Sequence, residues 1–350
     1  MTDPSLRQAQ DRLGSGLSRG RFVAAGTAAL ASIAAIERPV RAAQWTYKYA
    51  SNVSIDHPLN VRMHECWTAV NKETGGRLAV QIFPNNQLGG DTQALQQLRS
   101  GALQFFTLDG GILQSVVPLA AIQGVGFAFK DSQEAFHALD GPLGDYVRDA
   151  IRAANLYVHP KMWENGMRQI TSSNKPIRAA GDLAGFKIRT PPGELWVDLF
   201  KSLGAAPAPL NFSEVYTALQ THVFDGQENP YAIIDVARLY EVQKYLSVTN
   251  HMWSAFHFLG NRDAWNALPA DVRSVVERNL TKYALLQRGD TQRRNDSLAE
   301  QLVRRGMTIN RADTTSLRAK LASSGFYTKW RDKFGAPAWS LLEKTSGKLA

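Results

Sequence analysis

The residues in this sequence best suited to chemistry are those that could grip an anion. In GFKIRTPPGELW (185–196) an apolar run, Phe186 to Ile188, ends on Arg189, and Thr-Pro-Pro follows. A guanidinium at a strand end, backed by a stiff turn, presents a pre-organised fork that fits a carboxylate with two parallel hydrogen bonds. Spacing alone equally allows a surface arginine or an internal salt bridge. NGMRQITS (165–172) places a second arginine, Arg168, near the end of another expected strand. FDGQENPYA (224–232) supplies Asn229, which Pro230 pushes towards an extended backbone, so that its amide could face a cleft. A plain Asn-Pro turn is the alternative. Asp109 leaves the end of the apolar stretch LQFFTL (103–108) and is followed by two glycines.

Catalytic patterns are poor by comparison. GLSRG (16–20) matches a nucleophile elbow but has no strand before it. SSNK (172–175) matches Ser-x-x-Lys but follows a strand and lacks its partner motifs. There is no P-loop and no dinucleotide glycine fingerprint. His251 and His257 lie six apart on one expected strand, too far apart to share a metal without a third ligand, and core or solvated histidines are the simpler reading. The expectation is a binding protein with no enzyme activity, no cofactor and no metal.

Composition agrees with export. The first 43 residues carry six arginines against three acids, then the uncharged run FVAAGTAALASIAAI (22–36), then VRA with small residues before a cleavage point. A basic segment, an apolar segment and a small-residue site make a secretory signal, expected to be cut after Ala42 or Ala43. The apolar run is too short to cross about 30 Å of hydrocarbon. SRGRFV (18–23) resembles a twin-arginine signal with Gly20 in place of the second arginine, so both export routes stay open. The mature chain would keep a net charge of +6 of the full +9. It has no long Lys/Arg cluster to suit nucleic acid. The single cysteine, Cys66, falls on the apolar face of a helix at 57–76 with Leu59, Met63, Trp67 and Val70 and reads as a core thiol.

Strands alternate with helices along the chain, which predicts an α/β fold with mostly parallel sheets. Strands are expected at 77–83, 103–108, around 186–189, at APAPL and at 251–260. Helices are expected at 91–101, with Asp91 as cap, and from Pro269 to Gly306, with a stripe of Val272, Val276, Leu280, Tyr283 and Leu286. In such sheets ligands sit beyond the carboxyl ends of the strands, where Asp109 and Arg189 fall.

The segments TGGRLAVQIFPNNQLGGD, NGMRQITSSNKPI, DLAGFKIRTPP, LGAAPAPLNFSEVYTALQTHVFDGQENP and LYEVQKYLSVTNH, in this order, resemble the solute-binding proteins of tripartite ATP-independent periplasmic (TRAP) transporters, DctP-type. The resemblance runs from about Tyr47 to the 280s. It implies a two-lobed periplasmic-binding-protein-like fold with a ligand cleft between lobes and a long helix crossing both. Lobe I is then expected at 44–165 plus 254–293, and lobe II at 166–253 plus 294–350. It implies a periplasmic, monomeric protein that carries an organic acid to membrane permease subunits. Carried over by position, Arg189 is the principal carboxylate ligand, Arg168 the second cleft arginine, Asn229 the assisting amide and Phe212 an apolar wall. Asp91 and Asp109 are first-lobe ligand positions, and His57 and Glu164 are placed in expected cleft loops. A sugar acid such as a hexuronate is the expected ligand. C4-dicarboxylates, 2-oxo or aromatic acids, and a sensory role remain alternatives.

Overall fold

The computed structural model describes residues 43–349. The export segment therefore lies, but for its last position, outside the described residues. Twelve strands occur among them: β1 (Trp45–Ala50), β2 (Leu78–Phe83), β3 (Phe105–Asp109), β4 (Leu156–Val158), β5 (Trp163–Met167), β6 (Gln169–Ser172), β7 (Lys187–Thr190), β8 (Ala206–Pro209), β9 (Gly226–Asn229), β10 (Tyr245–Val248), β11 (Trp253–Asn261) and β12 (Thr308–Arg311). They form two sheets, one ordered β2-β1-β3-β11-β4 with β5 also on β11, the other β12-β10-β6-β9-β7-β8.

The expectation of mostly parallel sheets is only half met. β1 pairs in parallel with β2 and β3, and β7 with β8 and β9, as βα units require. The strands flanking the crossings run the other way: β11 is antiparallel to β3, β4 and β5, and β6 is antiparallel to β9 and β10. The chain passes from one sheet to the other at Arg168, between β5 and β6, and returns through Thr249–Met252, between β10 and β11. A strand that enters a sheet from the opposite lobe needs no helical crossover and so need not be parallel. The Arg168 N–H donates to the Met252 carbonyl at 2.8 Å, joining the two crossings. β8 carries two prolines and lies at a sheet edge, where missing N–H donors cost least.

Helix α1 (Pro58–Glu73) buries Leu59, Met63, Cys66, Trp67 and Val70 as its period predicts. It packs with the long helix Ala270–Arg304 against one face of the first sheet. That helix buries Val272, Val276 and Leu280, but Leu286, expected on the same stripe, is exposed. Ala284 and Gln287 take over the inner face, and Gln287 Nε2 donates to the Glu164 carbonyl at 2.8 Å. Further along, Arg294 and Arg305 both pair with Asp235 beside the second sheet, so one helix serves both lobes. Helix α2 (Asp91–Ser100) is capped by Gly90 instead of Asp91, and the Asp91 side chain turns inward. The final helix, Ala336–Ser346, expected with lobe II, packs on helices Ser132–Leu139 and Pro142–Ala153 of the first lobe through a shared apolar cluster that includes Leu342 and Leu139.

Gly226 sits in the middle of the second sheet, where a Cβ would stand 2.0 Å from the Thr171 carbonyl oxygen and 2.7 Å from Phe186 Cζ. Gly226→Ala is expected to lower stability by about 1–3 kcal/mol through overpacking, measured as an earlier midpoint in urea unfolding.

Candidate ligand cleft

Between the two sheets the strand ends line a tight cavity of about 30 Å³ with Asn52, Asp91, Asp109 and Ile112 from the first lobe, Asn165 and Phe256 on the crossing strands, and Arg168, Arg189, Trp196, Phe212 and Asn229 from the second. Six of the eight residues singled out in the sequence meet here: Arg189, Arg168, Asn229, Phe212, Asp91 and Asp109. His57 and Glu164 do not line it. His57 caps α1, its Nδ1 accepting from Leu59 N at 3.2 Å, and its ring lies edge-on to the cavity residue Phe256. Glu164 turns its buried carboxylate towards Ser132 and Trp253. The physical reason is a β-bulge. In the β5–β11 register Trp163, Glu164, Gly166 and Met167 find partners and Asn165 is the extra residue. Gly166, at φ +118°, supplies a conformation closed to other residues. The bulge re-aims the strand so that Asn165 faces the cavity in place of Glu164.

The two arginines differ. Arg168 is already compensated: its Nε pairs with Glu228 Oε2, and its Nη2 donates to Glu228 Oε1 at 2.7 Å and to Asn229 Oδ1 at 3.1 Å. Its Nη1 reaches Ser254 Oγ at 3.2 Å. His251 Nε2 lies 3.2 Å from the same carboxylate and its Nδ1 2.8 Å from Thr249 Oγ1, which makes it a core histidine. Burial alone would raise the Glu228 carboxyl, but Arg168 and His251 outweigh it and hold it below the usual carboxylate value. Arg189 has no such partner. Its Nε and Nη2 donate to the Leu210 carbonyl at 2.9 and 2.6 Å, and no carboxylate among the described residues pairs with it. It is 1% exposed, and burial pushes it down to about 9. Phe212 lies under the guanidinium, 5.9 Å from ring centre to Cζ.

The facing wall of the first lobe offers acceptors. Asn52 Nδ2 donates to Asp91 Oδ2 at 3.2 Å, and Asp109 Oδ1 accepts from Gly111 N at 2.8 Å. Asn52 Oδ1, Asp91 Oδ1, Asp109 Oδ2 and Asn165 Oδ1 are buried without a hydrogen-bond partner. Desolvation pushes Asp91 up to about 6 and Asp109 up to about 7, only partly offset by the Asn52 amide at one and by Arg168 at the other. The site thus presents a lone cation on one lobe and hydrogen-bond acceptors on the other. A broader depression of about 700 Å³ beside Tyr157 and Trp265 also carries arginines, but Arg152 and Arg278 pair with Asp149 and Glu73, and Arg262 donates to backbone carbonyls. No group of metal-ligating side chains occurs among the described residues.

Asn52, Asn165, Trp196, Glu228 and His251 were not singled out as site residues in the sequence. Asn165 had a local signal, the Asn-Gly pair that often marks an irregular strand. Glu228 had none, because its partner Arg168 is 60 residues away.

Two consequences follow. Glu228→Ala leaves Arg168 buried without its counter-charge and is expected to cost about 3–5 kcal/mol, read by denaturant unfolding. For Asp109 the unfolded carboxyl titrates near 3.8 and the folded one near 7. Between these values the folded state holds the extra proton, so this group's effect on stability worsens as pH rises. Asp109→Asn keeps the cap on Gly111 but removes the ionisation. Without ligand, its melting temperature should rise relative to wild type from pH 4.5 to pH 8; a constant difference would place the carboxylate in water.

The model of bacterial extracellular solute-binding protein family 7 (DctP) matches residues 49–327. The uncharacterized protein y4mM of Sinorhizobium fredii is 35% identical over 280 residues, 79% of this chain but 50% of that longer protein. The solute-binding protein RD1_1052 of Roseobacter denitrificans is 34% identical over 250 residues, 70% of this chain and 75% of that protein. Its crystal structure with bound L-galactonate superposes with a TM-score of 0.81, at 28% identity over 86% of this chain and 99% of that one. The TRAP solute-binding protein of Polaromonas sp. JS666, bound to D-erythronate, gives a TM-score of 0.82 at 29% identity, covering 87% of this chain and 99% of the other. The uncompensated cleft arginine, the two sheets joined by crossing strands and the family match over 49–327 lead to one conclusion: this chain belongs to the DctP-type solute-binding proteins of TRAP transporters.

Proposed function

We propose that the chain captures a hydroxylated monocarboxylate of the sugar-acid class in the periplasm, after removal of residues 1–42 or 1–43, and delivers it to TRAP permease subunits. The observation that carries this reading is the buried Arg189 without a counter-ion, set against first-lobe acceptors. A carboxylate on Arg189 gains a bidentate pair in a water-poor site. Hydroxyl hydrogens then meet Asp91, Asp109, Asn52 and Asn165, whose free oxygens are otherwise left buried and unpaired. A C4-dicarboxylate suits the site less well, because its second carboxylate would face two acids. The acids bound by the Roseobacter and Polaromonas proteins, L-galactonate and D-erythronate, are of the proposed class.

Arg189, Asn229, Phe212, Asp91 and Asp109 act directly on the ligand in this reading. Arg168, neutralised by Glu228, acts as a hydrogen-bond donor in a fixed frame more than as a second charge. Ligand bound on one lobe favours closure by no more than its differential affinity for the closed state.

A thermal-shift screen of residues 44–350, unfolded and refolded to strip any carried ligand, tests the proposal with aldonates, hexuronates, C4-dicarboxylates, 2-oxo acids and amino acids. A ligand at a hundred times its Kd stabilises by about 2.7 kcal/mol. The largest shift is expected from an aldonate or hexuronate. Arg189→Ala should weaken that ligand at least about thirtyfold, from a loss of about 2–5 kcal/mol for one partner of a buried charge pair. Shifts confined to dicarboxylates, or an unchanged affinity in Arg189→Ala, would contradict the reading.

A further inference from the structure

Trp196 lies on the first turn of the helix Glu194–Ser202, is 1% exposed and lines the ligand cavity. Its six-membered edge crosses to the first lobe. A Cβ on Gly111 would stand 2.1 Å from Trp196 Cζ3 and 2.3 Å from Cη2, and one on Gly193 would stand 2.7 Å from Cε3 and 2.5 Å from the Gly111 carbonyl oxygen. The ring therefore fills a notch that opens only because position 111, on the opposite lobe, is glycine. Arg168 Cζ is 5.4 Å from the ring centre. The indole Nε1 is buried and has no hydrogen-bond partner. An unpaired buried donor is costly, and such groups call for an explanation.

We propose that Trp196 is a specificity-determining ligand contact, its indole N–H donating to an oxygen of the bound acid, and that the glycine notch at position 111 admits the ring as the lobes close. This rests on the reading of the cleft as an acid site. The donor joins Arg189 and Arg168 on the second-lobe side and is set against the acceptors of the first, so a ligand oxygen close to Arg168 has its own donor. The same ring makes closure depend on Gly111, whose N–H holds Asp109.

The test is isothermal titration of an aldonate into the refolded mature chain and into Trp196→Phe and Gly111→Ala. Trp196→Phe keeps an aromatic ring beside the helix but removes the N–H and the outer six-membered edge that fills the Gly111 notch. It should weaken binding about tenfold, the scale of one hydrogen bond to a charged group, alongside a lower unliganded melting temperature from the emptied notch. Gly111→Ala should weaken every acid that binds wild type by a similar factor, because it blocks the closed position. As a second readout, the indole 15N–1H cross-peak lost in Trp196→Phe should move on saturation of the wild type. Trp196→Phe binding within twofold of wild type, a stationary cross-peak, or a lowered melting temperature with unchanged affinity would overturn the role of Trp196 alone. Absence of aldonate binding to the wild type would overturn the reading of the cleft and this inference with it.

Discussion

One desolvated cation without a counter-charge sets the terms for the cleft. Arg189 is as buried as the core tryptophans, yet it has only the Leu210 carbonyl to satisfy it. Its position comes from the second sheet, where β7 lies between β8 and β9 in parallel and ends at Thr190 before two prolines. In the proposed binding mode a ligand carboxylate supplies the counter-charge that no described residue gives it. Desolvating an ion is repaid only with good geometry and further hydrogen bonds, and the cavity supplies both.

Around that cation the protein arranges neutral or acceptor groups. Arg168 would be a second charge, but Glu228 neutralises it, and His251 lies against the same carboxylate. The resulting cluster sits where the chain changes sheets, tied to Met252 through the Arg168 N–H and to Ser254 through its Nη1. In the proposed mode, a ligand held by Arg189 and Asn229 would press on the crossing strands, one of which carries the bulge at Asn165. The raised carboxyls of Asp91 and Asp109 reflect the same desolvation that depresses Arg189.

Much of this was legible in the residues. Arg189 stood out as a guanidinium aimed from an apolar strand end before two prolines, although spacing alone equally allowed a surface arginine or a salt bridge, and the helix periods placed the α1 core correctly. The misses have physical causes. Glu164 was placed in an expected cleft loop, but the stretch is strand β5, whose bulge turns Asn165 to the cleft in its place. Local preference suggested that Asp91 caps α2, but the pull of Asn52 and the cavity turned it inward and Gly90 took the cap. The compensation of Arg168 depends on a partner 60 residues away, and Trp196 depends on a glycine in the other lobe; neither pairing leaves a mark in local sequence.

The most direct test compares an aldonate with the matching aldarate, which differ only in the far terminal group, by titration into the ligand-stripped mature chain at pH 8. With one lone cation facing ionised Asp91 and Asp109, the second carboxylate of the aldarate should cost several kcal/mol and weaken binding at least about a hundredfold. Equal or tighter binding of the aldarate would mean that the first lobe carries a cation or a donor set that this account lacks.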